Sequence, residues 1–394
     1  MFYGLFIAIG FYFAIIVCSL LLILIKFMNL TKDFKDFAGG LNTPFLLVDL
    51  DIVREKYRKI KDSFEGVRVY YAIKANPEER IIEVLKEEGA GFEIASSYEL
   101  NLLLKKGVDP SNIICSNPIK KDDFLKEAHQ KGVDFFAFDS SEEVDKMASF
   151  APGSNVYVRL EVDNIGSEWP LTKKFGVGLD DAVSLLLYSK EKGLNPCGIT
   201  FHVGSQCLNK DNWKNALLKT KEVFDMMAKK GIELKVLNMG GGLPIKHTHE
   251  IPEIEEIGGG VNNTIKDLFA EDVKVMIEPG RSVVGDAGSL VTTIIGKAKR
   301  KNTEWLFLDI GVFHGLMETV GGIDYEVLSD KKGKTKKFML AGPSCDGFDK
   351  MFSCNLPSDL QVGDRLYFLN AAAYTTCYNS NFNGLDSPKT FFIK

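Results

Sequence analysis

Eight short apolar, β-prone runs, each followed by a stretch of helical spacing, set the strongest constraint on how this chain can fold. The runs are 68–73, 91–95, 112–116, 134–138, 155–161, 198–202, 234–239 and 273–278. Between them apolar residues recur three and four apart, as on one face of a helix. Three of the helical stretches end at Gly107, Gly193 and Gly231. Glycine is the usual residue just past a last helical turn, because it takes the left-handed conformation without a Cβ clash. Runs that are apolar throughout suit parallel strands covered by helices on the outside. The expectation is an α/β protein: a (β/α)8 TIM-like barrel with a second, C-terminal all-β domain.

The second domain is read from a change of rhythm after Arg281. Residues 289–295, 305–309, 338–341, 365–369 and 390–393 look like strands joined by turns, with little helix between them. Residues 42–49 (Asn-Thr-Pro-Phe-Leu-Leu-Val-Asp) also read as extended. The expected organisation is a hydrophobic segment at 1–27, an arm at 28–50 that joins the β domain, the barrel at 51–285 and the β domain at 286–394. Gly258-Gly259-Gly260 reads as a flexible loop, and the lysine-rich stretch 331–337 as a solvated hairpin tip.

The N-terminal segment allows two readings. From Phe2 to Ile25 there is no charged residue, and a helix of that length spans ~36 Å, enough to cross a bilayer. Lys26, Lys32 and Lys35 follow it, which puts the rest of the chain in the cytoplasm by the positive-inside rule. Alternatively, the protein begins at Met28, where a polar stretch opens. Membrane association is expected only through 2–25.

Composition removes other classes. A net charge of −5 without a basic, aromatic-interleaved stripe argues against nucleic-acid binding. The seven cysteines are unpatterned, which suits a reducing compartment rather than a disulfide framework. The five histidines form no metal-ligand spacing, so no metal is expected. His247 and His249 read as part of a surface loop.

In a barrel, the residues at the C-terminal ends of the strands line the active site, and here those positions are polar. The first strand ends at Lys74 and the second contains Glu93. The sixth ends in His202-Val203-Gly204-Ser205, the seventh in Gly240-Gly241-Gly242, and the eighth in Glu278-Pro279-Gly280-Arg281. A desolvated strand-end lysine is expected to have a depressed pKa and a nucleophilic amine. Glycine amides can surround a phosphate, Arg281 can pair with it, and Glu278 can keep a pyridine nitrogen protonated. Each signal alone has a bland reading, such as a snorkelling lysine, a tight turn, a structural ion pair or a core histidine. Together, on one face of one barrel, they point to a pyridoxal 5'-phosphate site.

From about Asn42 to the C-terminus the chain resembles the barrel-type pyridoxal-phosphate decarboxylases of ornithine, lysine and diaminopimelate, and is most similar to ornithine decarboxylase. The resemblance implies that Lys74 is the Schiff-base lysine and His202 stacks on the cofactor ring. It implies cofactor contacts from Glu93, Ser205, Gly241, Gly242, Pro279, Gly280, Arg281 and Tyr374, with Glu278 on the pyridine nitrogen. A second signature, Gly342-Pro343-Ser344-Cys345-Asp346-Gly347-Phe348-Asp349, and the closing Phe382-Asn383-Gly384 also match. They imply a homodimer with shared active sites. In it Cys345 is the proton donor and Asp346 the ligand of the substrate's distal ammonium, and Lys174 and Asp349 bridge the subunits.

The resemblance further implies decarboxylation of a basic L-amino acid, ornithine or lysine, feeding polyamine synthesis. The alternatives are diaminopimelate, a modified diamino acid, a racemase on the same barrel, or a catalytically dead regulatory homologue. The sequence departs from the family where a second substrate carboxylate is expected. An ungapped count puts Gly322 there, and Asp324, ahead of Glu318, is the expected substitute.

Overall fold

The computed structural model describes residues 37–394 except Thr172; the charge-free segment at 2–25 lies outside the described residues. Among the described residues no helix is long and apolar enough to cross a membrane.

All eight expected barrel strands form. In chain order they are β2 (Arg68–Ala72), β3 (Gly91–Glu93), β4 (Ile113–Ile114), β5 (Phe135–Phe138), β6 (Asn155–Arg159), β8 (Asn195–Thr200), β10 (Val236–Asn238) and β11 (Lys274–Ile277). Two shorter strands, β7 (Ser167–Trp169) and β9 (Ser205–Cys207), pair with each other at the mouth. The barrel strands run parallel in the order β4-β3-β2-β11-β10-β8-β6-β5. A parallel bridge between Cys115 and Phe136 closes the ring, carried by Cys115 N–H to the Phe135 carbonyl at 3.0 Å and Ala137 N–H to the Cys115 carbonyl at 2.9 Å. Every strand is thereby paired on both sides, leaving no edge.

Helices cover the outside because their apolar stripes have nowhere else to go. In the helix Leu50–Ser63, Leu50, Val53, Tyr57 and Ile60 are buried, and Asp49 accepts from Asp51 N–H and Ile52 N–H at its start. An oxygen acceptor at this position satisfies amides that have no partner within the helix. The triple glycine corrects the loop reading. Gly258–Gly260 lie within the helix Ile254–Leu268, whose Ile254, Ile257 and Val261 are buried. Tertiary packing overrides the low helix propensity of glycine here. A Cβ on Gly258 would fall 2.3 Å from the Ser63 carbonyl oxygen, so this helix can approach its neighbour only without a side chain there.

The C-terminal region forms an eight-stranded sheet. Its strands are β12 (Gly288–Arg300), β13 (Thr303–Leu308), β14 (Val327–Ser329), β15 (Thr335–Ala341), β16 (Lys350–Pro357), β17 (Arg365–Phe368) and β18 (Lys389–Ile393), together with β1 (Phe45–Asp49). The strand β1 lies between β12, antiparallel with Phe45 opposite Val291, and β18, parallel with Phe45 opposite Lys389. Phe45, Leu47, Val291, Tyr367 and Leu369 pack into one buried cluster. Two of these strands, β14 and β16, are not legible in the sequence, because neither keeps a clean apolar–polar alternation.

Candidate active site

The C-terminal ends of the barrel strands open into a cavity of about 450 Å³. Lys74, Glu93, His202, Ser205, Gly241, Gly242, Glu278, Gly280, Arg281 and Tyr374 all line it. Nine of these ten residues singled out from the sequence come from the barrel region, and Tyr374 joins them from the segment after the Arg365–Phe368 strand.

Lys74 sits in a single 3-10 turn, Ile73–Ala75, directly after β2. Its Nζ lies 2.6 Å from Oε2 of Glu93 on the adjacent strand. The structure corrects the expectation of a depressed pKa. Desolvation inside the cavity opposes the ammonium, but Glu93 first, then Tyr374 and Glu278, outweigh it and hold Lys74 above its ordinary value. Desolvation alone was the wrong guide because the neighbouring strand supplies a carboxylate.

At the base of the pocket Glu278 is buried, with 6% of its surface exposed. Its Oε1 accepts from Asn238 Nδ2 at 2.5 Å and from the Ser116 hydroxyl. Ser116 in turn lies 2.8 Å from the Tyr157 hydroxyl. Burial and the charge of Glu93 raise the Glu278 pKa, while Lys74, Ser116 and Asn238 draw it back. Ser116 and Asn238 were missed by sequence reasoning although they stand at or just past the ends of strands. Arg159, the last residue of β6 and part of the lining, was missed likewise. Strand-end position was the available signal.

His202 accepts a hydrogen bond at Nδ1 from the Gly204 N–H at 3.0 Å, which leaves its proton on Nε2. Burial, then the charges of Arg159 and Lys74, push its pKa well below the usual imidazole value. A neutral ring thus faces the cavity. Gly242 adopts a φ of +111°, and a Cβ there would lie 2.5 Å from the Gly204 carbonyl oxygen. The strand end can therefore pass this close only as glycine.

Also in the lining, Arg281 and Glu318 form a bidentate pair: Nη1 to Oε2 at 2.7 Å and Nη2 to Oε1 at 2.6 Å. Both side chains are 3% exposed. The guanidinium carbon lies 4.8 Å from the Tyr374 ring centre, and Nη2 reaches Ser205 Oγ at 3.4 Å. Tyr374 has a φ of +54°, a strained conformation for a side chain of this size, and its N–H donates to the Ala75 carbonyl at 2.9 Å. Pro279 is not part of the lining; its carbonyl accepts from Ala72 N–H at 3.1 Å and ties β11 to β2.

Besides Pro279, four expected residues are not brought to this pocket within one chain. Asp324 is exposed, between buried Ile323 and Tyr325. It is not part of the lining within one chain. Cys345 and Asp346 are exposed as well. Cys345 N–H donates to Asn383 Oδ1 at 3.1 Å, so the two late motifs meet in space. Asp349, expected to bridge subunits, is buried and accepts from Val312 N–H at 2.7 Å and Ser344 N–H at 3.0 Å. Lys174, its expected partner, lines the mouth of the cavity. His247 also departs from expectation. It is 4% exposed and meets Tyr325 edge-on at 5.0 Å, rather than lying in a surface loop.

These residues fit pyridoxal phosphate on their own terms. The glycine turn is a cradle that a Cβ would fill. Arg281 Nε is buried without a partner among the described residues and is free to donate to a phosphate. The buried carboxyl of Glu278 and the amine of Lys74 line the same cavity. Fold and pocket together define a barrel-type pyridoxal-phosphate enzyme.

Comparison with known proteins is specific. Residues 50–285 match the family model described as "Pyridoxal-dependent decarboxylase, pyridoxal binding domain". The lysine/ornithine decarboxylase of Selenomonas ruminantium is 36% identical over 92% of this chain and 93% of its own length. A crystal structure of SrLDC with PLP and cadaverine superposes with a TM-score of 0.86 at 34% identity, covering 92% of this chain and 94% of that one. The lysine/ornithine decarboxylase from Vibrio vulnificus, complexed with cadaverine, gives a TM-score of 0.85 at 28% identity over 91% and 97%. The chain belongs to the pyridoxal-dependent decarboxylase family.

Proposed function

We propose that the chain decarboxylates L-ornithine or L-lysine to the corresponding diamine, supplying polyamine synthesis. The observation that carries the reading is one pocket lined together by Lys74, paired to Glu93, by buried Glu278 and by Arg281. The choice of substrate rests on 36% identity to a lysine/ornithine decarboxylase.

Pyridoxal phosphate, when bound, supplies the electron sink that makes loss of CO2 from an α-carbon feasible. The protein's part is binding, orientation and proton control. Lys74 is the covalent attachment point, and Glu93, 2.6 Å away, takes up and returns the ammonium's proton. Glu278 holds a proton on the pyridine nitrogen, with Ser116 and Asn238 fixing the carboxylate that receives it. Neutral His202 offers a ring face. Ser205, Gly241, Gly242, Gly280, Arg281 and Tyr374 hold the phosphate, and Pro279 sets the backbone that carries Gly280 and Arg281.

Cys345 and Asp346 lie exposed on one chain, braced by Asn383. That supports a homodimer in which each copy completes the other's pocket. Cys345 then delivers the proton that replaces CO2, and Asp346 holds the distal ammonium. Lys26, Lys32 and Lys35 support a cytoplasmic barrel.

The test is CO2 release with product identification across L-ornithine, L-lysine, L-arginine and meso-diaminopimelate. Turnover of ornithine or lysine that is lost in Lys74→Ala supports the reading. Turnover of diaminopimelate alone, or of none while the cofactor binds, overturns the substrate.

A further inference from the structure

Glu318 is not called for by any step above, yet it is among the most committed carboxylates of the pocket. It grips the end of the Arg281 guanidinium, one oxygen on each Nη. The remaining edge, Nε and the outer side of Nη2, is the one left for a ligand. Nη2 points along that edge to Ser205 Oγ, and Nε has no partner among the described residues. The Tyr374 ring covers the guanidinium at 4.8 Å.

The nearby aromatic groups supply no rival charge. His247 is pushed down to about 3 by burial and by Arg281 and His249. Tyr325 is held neutral by burial and by the charge of Glu318. Glu318 is therefore the counter-charge of Arg281 in the described chain.

We propose that Glu318 is a positioning residue: a built-in counter-ion that keeps the phosphate arginine paired and oriented in the cofactor-free enzyme, and that tempers the grip on the phosphate once it is bound. Two physical effects act together. A buried guanidinium that loses the only carboxylate paired with it among the described residues is strongly destabilising, so Glu318 stabilises the empty site. A carboxylate held on one end of Arg281 also repels an anion on its other edge, so Glu318 weakens the hold on the phosphate. The pocket is thereby ready before the cofactor arrives, and releases it more readily. The same pairing takes Glu318 away from the substrate's distal ammonium.

The inference rests on the assignment of Arg281 to the phosphate, and that assignment has its own control. Arg281→Gln speeds release of pyridoxal phosphate if the assignment is right and leaves it unchanged if it is wrong. For Glu318→Gln, the cofactor-stripped protein is expected to melt several degrees lower. The gap between its melting temperatures with and without cofactor widens by linkage. Release of pyridoxal phosphate, followed by its absorbance during dialysis, slows by about 10-fold. Glu318→Asp keeps the charge and is expected to release cofactor as the unaltered protein does; it also serves if the glutamine variant does not fold without cofactor. An unchanged gap would mean a merely structural carboxylate. Faster release would mean that orientation outweighs charge. A raised KM for the amino acid with unaltered cofactor behaviour would make Glu318 a substrate ligand. Each of these three results overturns the proposal.

Discussion

Lys74 Nζ and Glu93 Oε2 stand 2.6 Å apart across neighbouring strands, Glu93 being 2% exposed and Lys74 49%. The lysine is held charged by a carboxylate that cannot reach bulk water. Replacing Glu93 by glutamine removes the largest influence favouring the ammonium. The Lys74 pKa is then expected to fall, because burial still opposes the ammonium and its nearest carboxylate is gone. The pH dependence of the rate at which stripped enzyme captures pyridoxal phosphate measures this; a profile that does not move contradicts it.

Asn238 is expected to matter through Glu278. Asn238→Ala leaves the Glu278 carboxylate one donor short inside the barrel, at a cost of about 1–3 kcal/mol of stability. Losing that donor also raises the Glu278 pKa further, so the carboxylate stabilises a protonated ring nitrogen less well. A fall of about 10-fold in kcat corresponds to some 1.4 kcal/mol. Urea denaturation and steady-state kinetics check the two halves separately.

His247 gives the fold an acid-sensitive element. Its folded pKa is about 3 against an ordinary 6.5, so below pH 6.5 the unfolded chain binds a proton that the folded chain refuses. Stability therefore falls as pH drops from 6.5 towards 3, by about 1.4 kcal/mol per pH unit at most, and this contribution levels off below 3. Chemical denaturation between pH 4 and 8 should show a flatter acid limb in His247→Asn. Parallel limbs would exclude the residue as the source.

Shared active sites predict complementation. Lys74→Ala and Cys345→Ala should each be inactive or nearly so. After their subunits are mixed and exchanged, about one quarter of the original activity should return, since half the dimers are mixed and each carries one intact site. No recovery despite demonstrated subunit exchange would place both residues in the same pocket or outside the site.

Much of this molecule was readable from local pattern. Strand-end chemistry found Lys74, Glu93, His202, Gly242, Glu278 and Arg281, because a parallel barrel presents the ends of its strands on one face whatever the loops do. The same logic would have found Ser116 and Asn238 had hydroxyl and amide side chains been weighed alongside the charged ones. The Gly258–Gly260 helix and the buried His247 were misread for a different reason. Glycines look like loop until a packed neighbour outweighs propensity, and the polar, proline-flanked stretch is a loop whose histidine is covered by Tyr325.

The sequence by itself determined the barrel, the cofactor class and most of the strand-end residues that line the cavity. Those are properties of periodicity and of residue type at strand ends, and both are local. Only the tertiary structure decided the pairings. Arg281 meets Glu318, 37 residues away, Ser116 meets Glu278 across 162, and Asp324 turns outward while Cys345 faces solvent beside Asn383. Such pairings depend on where separate elements come to rest against one another. A buried charge takes whichever partner the packing brings within reach, and no spacing along the chain encodes that choice.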